Sequence, residues 1–405
     1  MIRSDASRVN FGISMGGKWL NCIIVVLGCC WQAPPVAAQS PAQPGQPAQP
    51  PATSASSVSE TVGGGEHAAV ELAVERGVAY LLSQQQASGG IHDRDYETTM
   101  TSLALMSMAA VGHQPGESTP AGTAMVRGLD FVLSEGRQDP QGYFGRKDRS
   151  RMYGHGITSL MLTELLGMGV DASQDQRIYQ ALDRALQLTL AAQAVPKPRQ
   201  FQGGWRYEPD SRDADLSVSV WQLMAMRSAK NDGLKVPAEA IELAVEYLQG
   251  SYTGRPVTGR PVTGRPAGGQ LAAEQNGGFS YMPRQNSPSF TMSAAGLLAL
   301  QVCGRYEAPE VLGAANWLQE RQLNWQDRFF FYGCYYYAQG MHQRGGALAS
   351  TSQQNVEKML LAHQAEDGSW QSSDNQERNA GRVYATSLAL LSLSVRYHYL
   401  PIYQR

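Results

Sequence analysis

Cysteine is scarce in this sequence and poorly placed for chemistry. Only five occur in 405 residues, and three of them (Cys22, Cys29 and Cys30) lie near the start. Cys303 and Cys334 remain, too few for a disulfide framework and without a Cys-x-x-Cys pair for zinc. An excess of one charge is lacking too: the formal net charge is −2, and no acidic or basic run is long. That balance argues against nucleic acid or an anionic membrane as the main partner. The mostly apolar run Trp19 to Trp31 is too short to span a bilayer comfortably.

That apolar run instead suits export. Arg3, Arg8 and Lys18 precede it, and the small residues Val36-Ala37-Ala38 follow. A basic flank, a short apolar stretch and a small-x-small site predict a secretory signal over 1–38, cut after Ala38. The product is then periplasmic or secreted and has no transmembrane segment. An uncleaved anchor is one alternative. A lipidated Cys29 after Val26-Leu27-Gly28 is another, on a poor lipoprotein site. Residues 39–66, rich in Pro, Gln, Ala and Ser and then in Gly, read as a flexible linker that cannot bury enough apolar surface to offset its ordering entropy. The predicted folded domain is 67–405, enough for one large core.

Within that domain the sequence repeats. Six apolar stretches superimpose without gaps: Thr98 to Val111, Gly154 to Met168, Asp215 to Ala229, Ser289 to Cys303, Phe330 to Arg344 and Val383 to Tyr397. One column holds Thr101, Thr158, Ser219, Ser293, Cys334 and Thr386, small residues that predict close approach of neighbouring helices. Eleven positions later, four of the six stretches have the glycine that ends a helix (Gly112, Gly169, Gly304 and Gly345). Each stretch is apolar nearly all round, as a helix buried on every side must be.

A more amphipathic helix precedes each one, at roughly 68–86, 121–137, 176–194, 236–250, 308–323 and 351–365. Glycine-and-aromatic loops connect the two: Gly89-Gly90-Ile91, Gly142-Tyr143-Phe144, Gly203-Gly204-Trp205, Gly277-Gly278-Phe279 and Gly368-Ser369-Trp370. Unit five has Asn324-Trp325 and no glycine. Six inner and six outer helices predict an all-α fold, an (α/α)6 toroid; an open solenoid would need polar caps at its ends. In parallel inner helices Cys303 and Cys334 lie ten positions apart, about 15 Å along the axis, so both should be free. Residues 252–266 contain a tandem TGRPV repeat whose prolines forbid a helix and predict a disordered inserted loop.

Gln364-x-x-Asp-Gly-Ser-Trp370 resembles the repeated Gln…Gly…Trp motif of squalene–hopene cyclases and protein prenyltransferase β subunits, and Gly203-Gly204-Trp205 and Gly277-Gly278-Phe279 are looser copies. The resemblance covers essentially all of 67–405 and implies the toroid; it says little about activity. Exported bacterial proteins with this repeat are the best likeness.

Asp213-Ala214-Asp215-Leu216 resembles the Asp-x-Asp-Asp motif of class II terpenoid cyclases. By that resemblance Asp215 would be the acid that protonates an alkene and Asp213 its partner, while Leu216 replaces the third aspartate. Read from the residues alone, Asp215 caps a helix. The mouth-side loops carry His92, Asp93, Arg94, Asp95, Arg146, Lys147, Arg149, Arg151, His155, Arg206, Arg212, Arg284, Arg328, Arg378 and Arg382, which suits a sugar, peptide or carboxylate better than a polyene. Candidate binding residues are Glu97, His155, Tyr207, Arg382 and Tyr384, with Arg382 expected to point inward. The aromatics at 329–337 point around the whole of one helix, so most should be packing residues. No zinc site is expected: Cys334 falls in the packing column, and His342 lies eight positions along the same helix. No cofactor is expected either. The function read from the sequence is an exported toroid that binds a small molecule, glycan or peptide in a central cavity. Alternatives are a cyclase-like enzyme using Asp215 and a toroid glycan lyase or hydrolase that pairs Glu97 with Asp215.

Overall fold

The computed structural model describes residues 60–254, 276–397 and 399–404. The predicted signal segment, most of the predicted linker and residues 255–266 of the insert lie outside them. Stretches apolar on one face alternate with stretches apolar on all faces, and they become helix pairs in chain order. These are α1 (Glu60–Ser83) with α2 (Glu97–Ala110), α3 (Pro120–Val132) with α4 (Arg151–Glu164), and α5 (Ala172–Ala194) with α6 (Leu216–Asn231). Then come α7 (Ala238–Gly250) with α8 (Phe290–Val302) and α9 (Pro309–Gln319) with α10 (Phe330–Arg344). The last pair is α11 (Gly346–Ala362) with α13 (Arg382–Leu393), separated by the single turn α12 (Asn375–Arg378). Each inner helix packs on the next, and α13 packs on α2, so the ring closes.

The turn from outer to inner helix runs inside the wall, where its polar groups must find partners. Gln85, Gln138, Gln193 and Gln364 solve this identically. Each donates Nε2 to its loop glycine carbonyl at 2.9–3.0 Å and to a carbonyl of the next outer helix at 2.8 Å. The partner of Gln364 is Ala73 on α1, which seals the last unit to the first. The glycines of these four loops have φ of 84–95°, and a Cβ on any of them would stand 2.0–2.4 Å from a carbonyl oxygen of the next outer helix.

The small-residue column has a role beyond close packing. Thr101, Ser219, Ser293 and Thr386 accept the loop amides of Ile91, Trp205, Phe279 and Trp370 at 2.9–3.1 Å. Unit five has neither loop glycine nor hydroxyl, consistent with Cys334 in its column. In unit two the amide of Phe144 turns to His155 Nδ1 instead, and the Thr158 hydroxyl bonds Ser102 across the α2–α4 contact at 3.0 Å.

Two boundaries differ from expectation. Helix α1 starts at Glu60, inside the stretch read as linker; Gly63 to Gly65 are poor helix formers, which is why sequence reasoning ended the linker after them. The insert also begins as structure and not as loop. Tyr252–Gly254 (β1) pairs antiparallel with Gly277–Phe279 (β2), and the Tyr252 ring meets Phe279 edge-on at 5.2 Å. Cys303 and Cys334 are free thiols. No helix among the described residues is long and apolar enough to cross a membrane.

The C-terminal turn Pro401–Tyr403 packs over the far ends of the inner helices. The Ile402 amide donates to Glu164 at 3.1 Å, Gln343 donates to the Tyr403 carbonyl at 2.9 Å, and the Tyr403 and Tyr335 hydroxyls are bonded. Glu164 is buried, and burial pushes its carboxyl up to about 7 against the bond from Ser228.

Thr386→Val keeps the volume but leaves the buried Trp370 amide without an acceptor. Denaturant unfolding should show a loss of about 1–3 kcal/mol, whereas close packing alone predicts none. Glu164 yields a pH prediction. Its folded pKa is raised, so its stabilising contribution is complete below the unfolded value of 4.5 and is lost as pH rises through about 7. Stability relative to Glu164→Gln should therefore fall by about 1–3 kcal/mol between acid and mildly alkaline solution. A constant difference across that window would refute it.

Candidate ligand cavity

All six inner helices present side chains from their first turns to one central cavity of about 1370 Å³. The lining residues recur one turn apart, as helical geometry requires: Thr99 and Leu103, Tyr153 and Ile157, Ser217 and Trp221, Tyr384 and Leu388. Trp221 lies parallel to Tyr335 with centroids 5.8 Å apart. Its indole N–H donates to the Tyr332 hydroxyl, which also bonds the Ser217 hydroxyl, both at 2.9 Å. Tyr207 and Tyr281 join hydroxyls at 2.6 Å on one wall. Above these aromatics the rim is charged, with Asp95, Arg146, Arg149, Arg151, Glu208 and Arg328. Arg151 pairs with Glu208 at 3.3 Å and Arg146 with Asp139 at 2.8 Å.

Parallel inner helices bring six positive dipole ends to the same mouth. Asp215 caps its own helix α6, accepting the Val218 amide at 2.8 Å, and Ser289 caps α8. Three other helices borrow a carboxylate from the loop of the following unit. Asp148 takes the Thr99 amide and hydroxyl on α2, Glu377 the Phe331 and Tyr332 amides on α10, and Asp93 the Arg382 and Val383 amides on α13. On α4 the second amide, Met152, meets only the Tyr207 carbonyl at 2.9 Å.

Of the sequence-predicted residues, Tyr207 and Tyr384 line the cavity. The other five are elsewhere. Asp215 is fully buried as a cap, with its second oxygen 3.5 Å from Arg206 Nε; burial raises its carboxyl to about 6 against the pull of the Val218 amide and Arg206. Asp213 is half exposed and also pairs with Arg206, at 3.6 Å. Glu97 is engaged with Arg137, so it does not share a cavity with Asp215, and the carboxylate pair proposed for glycan chemistry is not assembled. His155 faces α5: Nδ1 accepts from Phe144, and Nε2 bonds Ala185 O and Thr189. Burial holds its imidazole down at about 4, neutral and structural. Arg382 does not point inward; Asp367 holds its guanidinium at 2.8 Å.

Four lining residues carry left-handed backbones without being glycine: Tyr96, Arg149, Arg151 and Phe329, with φ of 56–68°. Such strain persists only where surroundings enforce it, and it gathers at functional sites. Asp148 enforces it at Arg149 and Arg151 by gripping Ser150 between them through amide and hydroxyl at 3.0 and 2.6 Å. No sequence motif announces these positions. Of the aromatic run only Phe329 and Tyr332 reach the cavity, the others being core.

No family model and no curated protein matches the chain. Solved structures do. The GH76A alpha-1,6-mannanase from Salegentibacter sp. HEL1_6 is 8% identical, with a TM-score of 0.52 over 82% of this chain and 99% of its own. The type II terpene cyclase MstE from Scytonema is 15% identical, with a TM-score of 0.51 over 82% of this chain and 100% of its own. A protein from Actinoplanes is 16% identical, with a TM-score of 0.51 over 80% of this chain and 99% of its own. Likeness at these identities concerns the fold, and the chain is an α/α toroid of the kind shared by terpene cyclases and these mannanases.

Proposed function

We propose that this is an exported binding protein that holds a ligand in the central cavity, with its apolar body against the aromatic floor and its polar end at the rim. The observation that carries this reading is the layering of the cavity: Trp221, Tyr332, Tyr153 and Tyr384 line it with Leu103 and Leu388, and arginines and carboxylates ring the entrance. Sites that take small molecules are mostly apolar concavities with few placed polar groups. A cavity of about 1370 Å³ exceeds the range usual for drug-sized ligands, so the occupant is large or elongated.

A second reading is a cyclase that uses Asp215 as its acid, favoured by the burial of that carboxyl and by the absence of a hydrogen-bond partner on its second oxygen. Three observations weigh against it. Asp215 is not among the lining residues, its first oxygen is occupied by the cap, and a guanidinium stands beside the second. A pKa of about 6 leaves it largely ionised at neutral pH, and alkene protonation needs the undissociated acid. Glycan cleavage by a Glu97–Asp215 pair has no geometric support.

The neutral dye 1-N-phenylnaphthylamine should show saturable uptake with one site per chain. Asp215→Asn, which still caps, should cost about 1 kcal/mol or less in stability and change dye affinity by less than about tenfold. Neither protein should convert squalene. A cyclised product that disappears in Asp215→Asn would establish the cyclase instead, and absence of saturable uptake would defeat the binding reading.

A further inference from the structure

Five of the six inner helices have a side-chain oxygen on one of their first three amides; helix α4 has none among the described residues. Its first amide, Arg151, meets the Gly145 carbonyl, its second meets Tyr207, and its third, Tyr153, has no partner among the described residues. The pattern of the ring says what is missing. Where a helix borrows its cap, the next unit's loop supplies a carboxylate: Asp148 for α2, Glu377 for α10, Asp93 for α13. The loop that reaches α4 is that of unit three, which offers the Tyr207 carbonyl and then Glu208, and Glu208 is turned to Arg151.

A bare helix end alone is not a site, but this one opens on the cavity beside two other unpartnered donors. Tyr143 lines the cavity, is only 2% exposed, and its hydroxyl has no hydrogen-bond partner among the described residues. Burial keeps that phenol protonated, so it is a donor awaiting an acceptor. Arg149 lines the same wall, and no side chain among the described residues pairs with its guanidinium. An amide, a phenol and a guanidinium, all donors, are what a carboxylate accepts from.

We propose that the cavity ligand is an amphiphile with a single carboxylate, and that this group seats at the α4 N-terminus in the position Asp148, Glu377 and Asp93 fill on their helices. This rests on the reading of the central cavity as a ligand site. The seat is built for one negative charge. Arg146 and Arg151 are already in ion pairs and Arg328 is turned to Gln376, so Arg149 is the cavity arginine with no side-chain partner among the described residues, while Glu208 and Asp95 share the rim and oppose a second negative charge.

Isothermal titration of the full chain with oleate, oleyl alcohol and mono-oleyl phosphate tests the proposal, alongside Arg149→Gly and Tyr143→Phe. Glycine accepts the left-handed backbone at position 149, and the Tyr143 hydroxyl bonds nothing, so neither variant should lower the melting temperature. Oleate should bind at least about tenfold tighter than the alcohol and no more weakly than the phosphate. Each variant should erase most of that preference, read as the ratio of oleate to alcohol affinity in the same protein. Equal affinity for oleate and the alcohol would overturn the carboxylate seat while leaving the cavity reading intact. So would a preference for the phosphate, or an oleate preference that survives both variants. Failure of all three to bind would overturn the cavity reading and the seat together.

Discussion

A loop amide buried in the wall of a two-layered barrel has to find an acceptor there, and the hydroxyl of the facing inner helix provides it. In this toroid the bonds from Ile91, Trp205, Phe279 and Trp370 to Thr101, Ser219, Ser293 and Thr386 fix where each loop sits against its helix. In units one, three and six further contacts accompany that bond. The aromatic side chain of the loop is directed into the layer between helices, where Trp205 and Trp370 each donate an indole N–H to an outer-helix carbonyl at 2.8 Å. The loop glycine is brought against the next outer helix closely enough to exclude a Cβ, and the glutamine then bridges the two helices. An unsatisfied buried amide costs about 1–3 kcal/mol, so repetition of this bond is a large share of what defines the ring.

Closing the ring in this way has an electrostatic consequence. Inner helices that run parallel converge their positive ends, and the mouth is stable only if oxygen atoms answer them. Carboxylates borrowed from neighbouring loops do this on three helices, and they also lock adjacent units together, since each acid belongs to one unit and its amides to another. Asp215 belongs to the same set, as a cap supplied from within its own unit. The set is incomplete on α4, where we propose that a ligand carboxylate seats, and the strained Arg149-Ser150-Arg151 segment gripped by Asp148 borders that gap.

The fold was legible because its determinants are local and periodic. All-apolar stretches, the loop glycines and the hydroxyl column repeat in register, and the six inner helices lie where that register puts them. The cap by Asp215 was legible for the same reason, since an aspartate three residues before its amide partner is a local signal. Other parts were not. His155 looked like a mouth residue because it lies on the first turn of an inner helix, but its side chain faces α5, where the ring substitutes for the hydroxyl that Thr158 commits to Ser102. Glu97 and Arg382 were assigned inward by their place on a helix, and each found an opposite charge outside the cavity. Capping by Asp93, Asp148 and Glu377 joins residues 45 to 290 positions apart, and no local motif marks the left-handed backbones at Tyr96 and Phe329.

Hydrogen exchange tests the central claim most directly. Amides in connecting loops ordinarily exchange quickly through local opening. If the loop-to-hydroxyl bond organises the ring, the amides of Ile91, Trp205, Phe279 and Trp370 should exchange as slowly as those in the middle of the inner helices, through global unfolding alone. Rapid exchange at these four positions, with the inner helices still protected, would contradict the account.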